Sequence, residues 1–133
     1  VRSREPRAAV AELGAIPTDG ELNEARERAA SADTIVVAPV ARVMADRPES
    51  GTVAAGVVEL IRQLSSDGKP VIVLVLGSPY ILAQVPAPAA ALCTHGDSAP
   101  GVEAGVAAIF GEFTPTGRLS ATIPGLYPYG HGL

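Results

Sequence analysis

The sequence predicts an α/β fold, a doubly wound and mostly parallel sheet sandwiched by helices in three layers. Two apolar runs, Asp33–Val40 (DTIVVAPV) and Val71–Leu76 (VIVLVL), lack polar alternation, as is typical of parallel strands covered on both faces. A segment with helical spacing lies between them, and strands that alternate with helices favour a parallel sheet. Because 133 residues are the length of one domain, we expect residues 1–133 to form a single α/β domain.

The segment between the two runs is predicted to be an amphipathic helix. Ser50 or Thr52 is placed to cap its start, and Gly68 is placed to end it. Its apolar residues recur every three or four positions and are expected to face the sheet: Val53, Val57, Leu60, Ile61 and Leu64.

Two helices are predicted ahead of the first strand. An alanine-rich pattern over Pro6–Leu13 ends at Gly14. Thr18 and Glu21 then have the spacing of a capping box, which begins a helix that reaches about Ala30. Because no strand precedes these helices and the sequence does not begin with methionine, we expect a fragment of a longer protein whose sheet lacks its first strand here.

Three elements are predicted after the second strand. They are a strand over Ala89–Cys93, a helix over Pro100–Phe110 that Ser98 caps and Gly111 ends, and an edge strand over Arg118–Ile123. The helix is expected to turn four apolar residues inward: Val102, Val106, Ile109 and Phe110.

Composition excludes several classes of protein. The net charge is -4 and the ten basic residues are scattered, so the sequence does not predict a nucleic-acid partner. The longest apolar run, Val71–Gly77, is far shorter than the roughly 20 residues of a membrane-spanning helix. The single cysteine, Cys93, cannot form an internal disulfide or a cysteine cluster. We expect neither a metal nor a cofactor.

Ligands of open parallel sheets bind beyond the carboxyl ends of the strands. Three loops are predicted to form that rim: Ala41–Glu49, Gly77–Tyr80 and Thr94–Ser98. Six of their polar side chains are candidates for the rim of a substrate cleft: Arg42, Arg47, Ser78, Tyr80, His95 and Asp97. The same loops also contain Asp46.

Two of these candidates have a possible chemical role. His95 and Asp97 could face each other across a turn as an acid/base pair. We prefer the simpler interpretation of two solvated loop residues, with Asp97 helping to cap the following helix. Ser78 follows Gly77 at a strand end, but Pro79 breaks the G-x-S-x-G spacing of a hydrolase nucleophile.

Other catalytic patterns are weak or missing. The sequence contains neither G-x-G-x-x-G nor G-x-x-x-x-G-K-[ST], the glycine-rich phosphate cradles. The rim acids Asp46 and Asp97 lie in separate loops, unlike the acidic cluster of a phosphoacceptor receiver domain. Glu103 with Asp97 would resemble the carboxylate pair of a glycosidase, but the helix dipole already explains an acid in the first turn. No residue of this sequence is predicted to be catalytic.

Three segments together resemble the C-terminal α/β domain of family 3 glycoside hydrolases. They are GKPVIVLVLGSPY (68–80), AAIFGE (107–112) and TPTGRLSATIP (114–124), and the similarity extends to the tail YPYGHGL (127–133). The turn G-S-P-Y is similar to that of the bacterial β-N-acetylhexosaminidase branch. Ser120 stands where the family commonly has proline.

The resemblance implies an accessory domain of a retaining hydrolase that cleaves β-linked N-acetylglucosamine, in carbohydrate or peptidoglycan-fragment metabolism. The catalytic residues would lie in a (β/α)8 barrel of the same parent chain, on which this domain packs and with which it shares its carbohydrate substrate. Two alternatives remain open at the level of the sequence: a free-standing module that binds a small ligand at the rim, and a regulatory, receiver-like domain.

Overall fold

The structure, a computed structural model, describes residues 1–46 and 50–133. Its three helices and four strands follow the predicted alternation. In chain order they are α1 (Asp19–Ala30), β1 (Ile35–Val37), β2 (Val40–Ala41), α2 (Ala55–Ser66), β3 (Val71–Gly77), a 3₁₀ helix (Pro79–Ala83), β4 (Ala90–Cys93) and α3 (Ala99–Ile109).

All strand pairs of the sheet are parallel, as predicted. The central strand is β3, with β1 and β2 following one another along one side of it and β4 along the other. Pro39 separates β1 from β2, because proline has no N–H to donate to the ladder. The register joins Ile35 to Val71, Val40 to Leu76 and Ile72 to Ala90.

The two faces of β3 contact two different layers of helices. Val71, Val73 and Val75 belong to the apolar cluster that contains the buried residues of α1 and α2. Leu74 and Leu76 belong to a second cluster with α3. Because successive side chains of a strand point to opposite faces, α1 and α2 cover one face and α3 covers the other. The predicted α/β fold and its three layers are confirmed.

Helix α1 begins with the predicted capping box. The Thr18 hydroxyl accepts a hydrogen bond from the backbone N–H of Glu21 (3.3 Å), and the Glu21 carboxylate accepts one from the backbone N–H of Thr18 (2.7 Å). The other oxygen of Glu21 accepts from Gly14 N–H (3.0 Å). The carboxylate therefore joins the segment before the helix to its first turn.

Helix α2 buries the predicted residues Leu60, Ile61 and Leu64. The predicted cap was wrong, because Ala54 occupies the N-cap position and no side chain bonds there. The Ser50 hydroxyl instead accepts a hydrogen bond from Met44 N–H and donates one to Met44 C=O. Gly68 follows the helix with a φ of +76°, as expected of a terminating glycine.

Strand β4 and helix α3 also lie where the sequence predicts them. Gly111, with a φ of +72°, follows α3, and Val106 is buried against the sheet. Ser98 is the N-cap residue, but its side chain makes no capping bond. Phe110, expected to face inward, is exposed, because α3 ends at Ile109.

The helix predicted over Pro6–Leu13 does not form. Eight residues are too few for a helix without strong packing, and the alanine-rich stretch buries little surface. The backbone carbonyl of Val10 instead accepts a hydrogen bond from the Arg28 guanidinium of α1. Side-chain bonds to α1 therefore replace the helical ladder in this segment.

The edge strand predicted over Arg118–Ile123 was also wrong. Leu119 N–H donates to His131 C=O, and Gly130 N–H donates to Leu119 C=O, each at 2.8 Å. Ile123 pairs with Tyr127 in an isolated antiparallel bridge and is fully buried. The segment therefore pairs with the C-terminal tail instead of with the sheet.

The first apolar run is less covered than its composition predicts. Ile35 and Ala41 are buried, but Val36, Ala38 and Val40 between them are exposed. This run forms an edge of the sheet, and α3 packs over β3 and β4 instead of over it. In the part of the chain that the structure describes, no helix has the length and apolar character needed to cross a bilayer.

We expect Gly77→Ala to lower the free energy of unfolding by about 3 kcal/mol or more. Gly77 has a φ of +123°, and a Cβ at this position would lie 2.3 Å from the Ala41 carbonyl oxygen. Gly68→Ala is the matched control, because Gly68 has a φ of +76° but nothing within 4 Å of the added Cβ. Its loss should be about 1–2 kcal/mol. If urea unfolding gave the same loss of unfolding free energy for both variants, the close approach of Gly77 to the Ala41 carbonyl would have no effect on stability.

We expect the Glu21 carboxylate to make stability depend on pH in the acid range. Hydrogen bonds from the Thr18 backbone, the Thr18 hydroxyl and the Gly14 backbone lower the pKa of Glu21. The stabilisation is therefore complete above the unfolded pKa of about 4.3 and is lost as pH falls through the lower folded pKa. As the pH falls from 5 to below the folded pKa of Glu21, the melting temperature of Glu21→Gln should fall less than that of the unsubstituted chain. An unchanged pH profile would contradict this role of Glu21.

Candidate functional site

An open cleft of about 490 Å³ lies at the carboxyl ends of the parallel strands. The loops after β2, β3 and β4 form its walls, as expected for an open parallel sheet. Both polar and apolar side chains line it. The lining residues are Ala41, Arg42, Val43, Met44, Gly77, Ser78, Pro79, His95, Gly96 and Asp97.

The floor of the cleft depends on a close approach of two strands. Ser78 N–H donates to Ala41 C=O (3.1 Å), where the chain leaves β3. Gly77 permits this contact because a side chain there would overlap the same carbonyl group. Pro79 then begins the 3₁₀ helix, which turns the chain away from the cleft.

The turn after β4 presents His95 to the cleft in an uncommon backbone conformation. His95 has a φ of +56°, the one positive φ of a residue other than glycine in the described part of the chain. The Thr94 hydroxyl lies within hydrogen-bonding distance of the carbonyl oxygens of Val75 and Gly96, and donates to one of them at a time. Thr94 therefore anchors the turn to β3 and holds the exposed imidazole at the rim.

Asp97 pairs with Arg42 and not with His95. The Arg42 Nε donates to Asp97 Oδ2 (2.6 Å), and the Nη2 of the same guanidinium contacts the same oxygen. This ion pair joins the loop after β2 to the loop after β4 across the mouth of the cleft. No hydrogen bond or ion pair joins His95 to Asp97 among the described residues, so the proposed acid/base pair is not formed and Asp97 bonds Arg42 instead.

The cleft brings together four of the rim candidates: Arg42, Ser78, His95 and Asp97. Tyr80 is exposed on the 3₁₀ helix and does not line the cleft. Asp46 is exposed in the loop after β2 and is not in the lining either, and Arg47 lies outside the described residues.

Sequence reasoning missed the apolar part of the cleft. Val43, Met44 and Pro79 line it beside the polar groups, and Val43 and Met44 are among the exposed large apolar residues. The signal was present in the loop 41–49, where two apolar residues follow a strand end and precede a charged segment.

Neither the Ser78 hydroxyl at the cleft nor the thiol of nearby Cys93 is an activated nucleophile. Within the described residues, the Ser78 hydroxyl has no hydrogen bond to a histidine, which a catalytic serine needs as its base. Burial raises the pKa of the Cys93 thiol to about 11, so the thiol stays protonated at neutral pH. Cys93 packs against the main apolar cluster as a small apolar side chain.

Glu103 and Glu112 hold the N-terminal segment against α3. The Arg4 guanidinium donates to Glu103 Oε1 (2.8 Å) and to Glu112 Oε2 (3.1 Å). The hydrogen bonds from Arg4 lower the pKa of Glu112. The helix dipole alone therefore does not account for Glu103, and both carboxylates bond an arginine outside the cleft lining.

No group of three metal-ligating side chains is assembled anywhere in residues 1–46 and 50–133. Within the cleft lining, the carboxylate of Asp97 is the one acidic group among the described residues. The described part of the site can therefore donate hydrogen bonds and offer apolar contact to a neutral polar ligand.

We expect the Arg42–Asp97 ion pair to orient the two loops without stabilising the fold strongly. The Arg42 side chain is 70% exposed, and exposed ion pairs contribute about 0.2–1 kcal/mol. A double-mutant cycle of Arg42→Ala and Asp97→Ala in urea unfolding should give a coupling energy in that range. A coupling above about 2 kcal/mol would mean that the pair is a structural element of the fold.

The chain was identified by comparison with known families, because its cleft alone does not specify a reaction. The glycosyl hydrolase family 3 C-terminal domain matches residues 4–128, which include every helix and strand described above and the whole cleft. No curated protein and no solved structure gives a significant match. The chain therefore belongs to the glycosyl hydrolase family 3 C-terminal domain, an accessory domain that is associated with a catalytic domain in the chain of a glycoside hydrolase.

Proposed function

We propose that this domain supports a retaining glycoside hydrolase that cleaves β-linked N-acetylglucosamine, in carbohydrate or peptidoglycan-fragment metabolism. The domain packs on a catalytic (β/α)8 barrel of the same parent chain and borders the substrate cleft. Family membership supports the glycosidase part of this proposal. The G-S-P-Y turn at Gly77–Tyr80, similar to that of the bacterial β-N-acetylhexosaminidase branch, supports the choice of sugar.

The proposal depends on one observation: the part of the cleft lining that the structure describes contains a single carboxylate, that of Asp97. Retaining hydrolysis in its usual form needs two carboxyl groups about 5–5.5 Å apart around the glycosidic bond. Asp97 is the one acid among the described lining residues, and Arg42 already bonds it. The groups that break the bond are therefore supplied by the barrel, and this domain contributes binding and support.

The chemistry of the cleft suits the outer part of a sugar-binding site. Ser78 and His95 offer hydrogen-bonding groups, and Arg42 has further N–H donors beside those that bond Asp97. Val43, Met44 and Pro79 provide apolar surface for the carbon face of a pyranose ring. Two further rim candidates belong to the proposal: Tyr80, which lies on the 3₁₀ helix, and Arg47, which lies outside the described residues.

The same end of the domain is suited to packing on another domain. Val43 is 72% exposed and Met44 is 42% exposed, and the exposed Tyr80 lies on the 3₁₀ helix that follows β3. Exposed apolar side chains that cluster near a cleft are typical of a surface that another domain covers. We place the barrel against this rim, where substrate bound to the barrel reaches the cleft.

A free-standing binding module is the second candidate, because the cleft is already formed in this chain. The two candidates differ in affinity for the free sugar. Calorimetric titration of the 133-residue chain with N-acetylglucosamine and with muropeptides should give no tight binding if the barrel supplies the main subsite. Micromolar affinity or better would favour the binding module.

We expect the 133-residue chain to show no turnover of a chromogenic β-N-acetylglucosaminide, whereas the intact glycoside hydrolase turns it over. In the intact enzyme, His95→Ala should leave kcat within about tenfold, because general acid/base groups contribute about 100- to 10,000-fold and rim contacts do not. Asp46→Ala is a suitable control, because Asp46 is exposed outside the cleft lining. Turnover by the isolated chain, or a loss of more than about 100-fold in His95→Ala, would overturn the proposal.

A further inference from the structure

The Arg42–Asp97 ion pair at the mouth of the cleft leaves hydrogen-bonding groups unused on both partners. Arg42 Nε and Nη2 both contact Asp97 Oδ2. Arg42 Nη1 and Asp97 Oδ1 therefore remain without a hydrogen bond to any described residue. The two side chains are 70% and 31% exposed, so a ligand in the cleft meets a free donor and a free acceptor on the same ion pair.

The chain beside each partner is fixed to the end of β3. Ala41, which precedes Arg42, is buried, and its carbonyl accepts a hydrogen bond from Ser78 N–H (3.1 Å). In the loop that contains Asp97, Thr94 N–H donates to Val75 C=O (3.0 Å). The Thr94 hydroxyl lies 3.1 Å from the same carbonyl oxygen. Because this backbone is anchored before a ligand binds, the cost of ordering it on binding is low.

A third polar group with unused hydrogen-bonding capacity lies in the same cleft. Ser78 follows β3 directly and lines the cleft together with Arg42 and Asp97. Its hydroxyl does not cap the 3₁₀ helix and bonds no other described residue. Val43 and Met44 add exposed apolar surface to the lining. The cleft therefore combines a few polar groups with an apolar wall, which is the composition of a small-molecule site.

The charges of the ion pair favour a neutral ligand. An anion bound to the free N–H groups of Arg42 would lie beside the free oxygen of Asp97, and like charges at that distance repel. A cation bound to that oxygen would lie beside the guanidinium and meet the same repulsion. A hydroxyl group is neutral and can both donate and accept a hydrogen bond, so two adjacent hydroxyls can satisfy both partners of the pair.

We propose that Arg42 and Asp97 bind two adjacent hydroxyl groups of a pyranose ring, with Ser78 as a further contact. One hydroxyl donates to Asp97 Oδ1 and its neighbour accepts from Arg42. The choice of sugar rests on the proposed function. In a β-linked N-acetylglucosamine ring whose 4-hydroxyl is free, the 3- and 4-hydroxyls are the one adjacent pair, because the acetamido group occupies position 2. The ion pair thus determines specificity for rings on which both of these hydroxyls are free.

Nuclear magnetic resonance titration of the 133-residue chain with methyl β-N-acetylglucosaminide tests the site. We expect the amide signals of Arg42, Ser78 and Asp97 to shift saturably with a Kd of about 1–10 mM, because a few exposed hydrogen bonds support only weak binding. Arg42→Ala and Asp97→Ala should each weaken binding at least about tenfold, since each removes a hydrogen bond to a charged group. The amide spectrum of each variant shows directly whether it is folded.

The matched control for this titration is Asp46→Ala. Asp46 is exposed and is not in the described cleft lining, so its removal should leave the affinity unchanged. The absence of any saturable shift up to about 50 mM glycoside would overturn the proposal, as would equal affinity of folded Asp97→Ala and the unsubstituted chain.

Deoxy analogues of the same glycoside test which hydroxyls are bound. The 3-deoxy and 4-deoxy compounds should each bind at least about tenfold more weakly, because each leaves one partner of the ion pair without its hydroxyl. The 6-deoxy compound is the control ligand and should bind unchanged, since its adjacent pair is intact. Equal affinity for the 3-deoxy, 4-deoxy and 6-deoxy compounds would overturn the assignment of adjacent hydroxyls.

Inorganic phosphate tests the preference for a neutral ligand. Asp97→Ala leaves the guanidinium of Arg42 without its carboxylate, so this variant should bind phosphate at least about fivefold more tightly than the unsubstituted chain. A change of this kind is not expected if Asp97 only supports the fold. Equal binding of phosphate by the two chains would overturn the role of Asp97 in excluding anions.

Kinetics of the intact glycoside hydrolase separate this inference from the proposed function. Asp97→Ala should raise KM for a chromogenic β-N-acetylglucosaminide at least about fivefold and leave kcat within about twofold, because the hydroxyl contacts are equal in the ground and transition states. An unchanged KM would overturn the inference and leave the proposed function standing. If the intact enzyme failed to hydrolyse this substrate while the 133-residue chain bound another pyranoside through Asp97, the proposed sugar would be wrong and the hydroxyl-binding site would stand.

Discussion

The burial of strand β3 between two layers of helices is the constraint on which the rest of the structure depends. Its alternate side chains enter two apolar clusters, so α1 and α2 must pack on one face and α3 on the other. All other strands pair with it and none pairs elsewhere in the described sheet. The cleft lies where β3 ends, between the loops that follow β2 and β4. The chain can leave the sheet there because Gly77 has no side chain that would overlap the Ala41 carbonyl.

This arrangement separates support from chemistry. The apolar residues that stabilise the domain lie between the layers, whereas the polar groups of the cleft lie on loops at one end of the sheet. Arg42 bonds the one acid of the described cleft lining, and Arg4 bonds Glu103 of α3 and Glu112, which follows α3. Asp97 and Glu103, the carboxylates that the sequence suggested as a possible catalytic pair, therefore form ion pairs with Arg42 and Arg4. These ion pairs join separate segments of the fold. This kind of stability suits an accessory domain of a glycoside hydrolase.

The parts of the fold that the sequence predicts correctly are those in which local pattern and tertiary packing agree. Three patterns each predict a single kind of element, and that element forms: the apolar run at Val71–Leu76, the Thr18–Glu21 capping box and the helical spacing of apolar residues in α2. The helical pattern at Pro6–Leu13 was misleading because the segment has no apolar surface to pack against. The segment Arg118–Ile123 pairs with the C-terminal tail, and the periodicity of the sequence does not indicate such a pairing. The exposure of Val36 and Val40 could not be read from composition, because an edge strand and a central strand can share the same apolar residues.

The candidate site was predictable in place but not in its pairings. Parallel strands direct their loops to one edge, so Arg42, Ser78, His95 and Asp97 were expected together. Asp97 bonds Arg42, which is 55 residues away in the sequence, and does not bond His95. This pairing depends on how the two loops fold against each other, and the spacing of residues in the sequence does not predict it. The sequence did not predict Val43 and Met44 as cleft residues, because the site candidates were chosen among polar side chains and a ligand also contacts apolar ones.

A crystal structure of the intact glycoside hydrolase with an N-acetylglucosamine-derived inhibitor tests the central claim most directly. Our account predicts that both carboxylates flanking the anomeric carbon belong to the catalytic domain, with the cleft of this domain facing the outer part of the sugar. If either of those carboxylates came from residues 1–133, or if this cleft faced solvent on the side away from the barrel, the account would be contradicted.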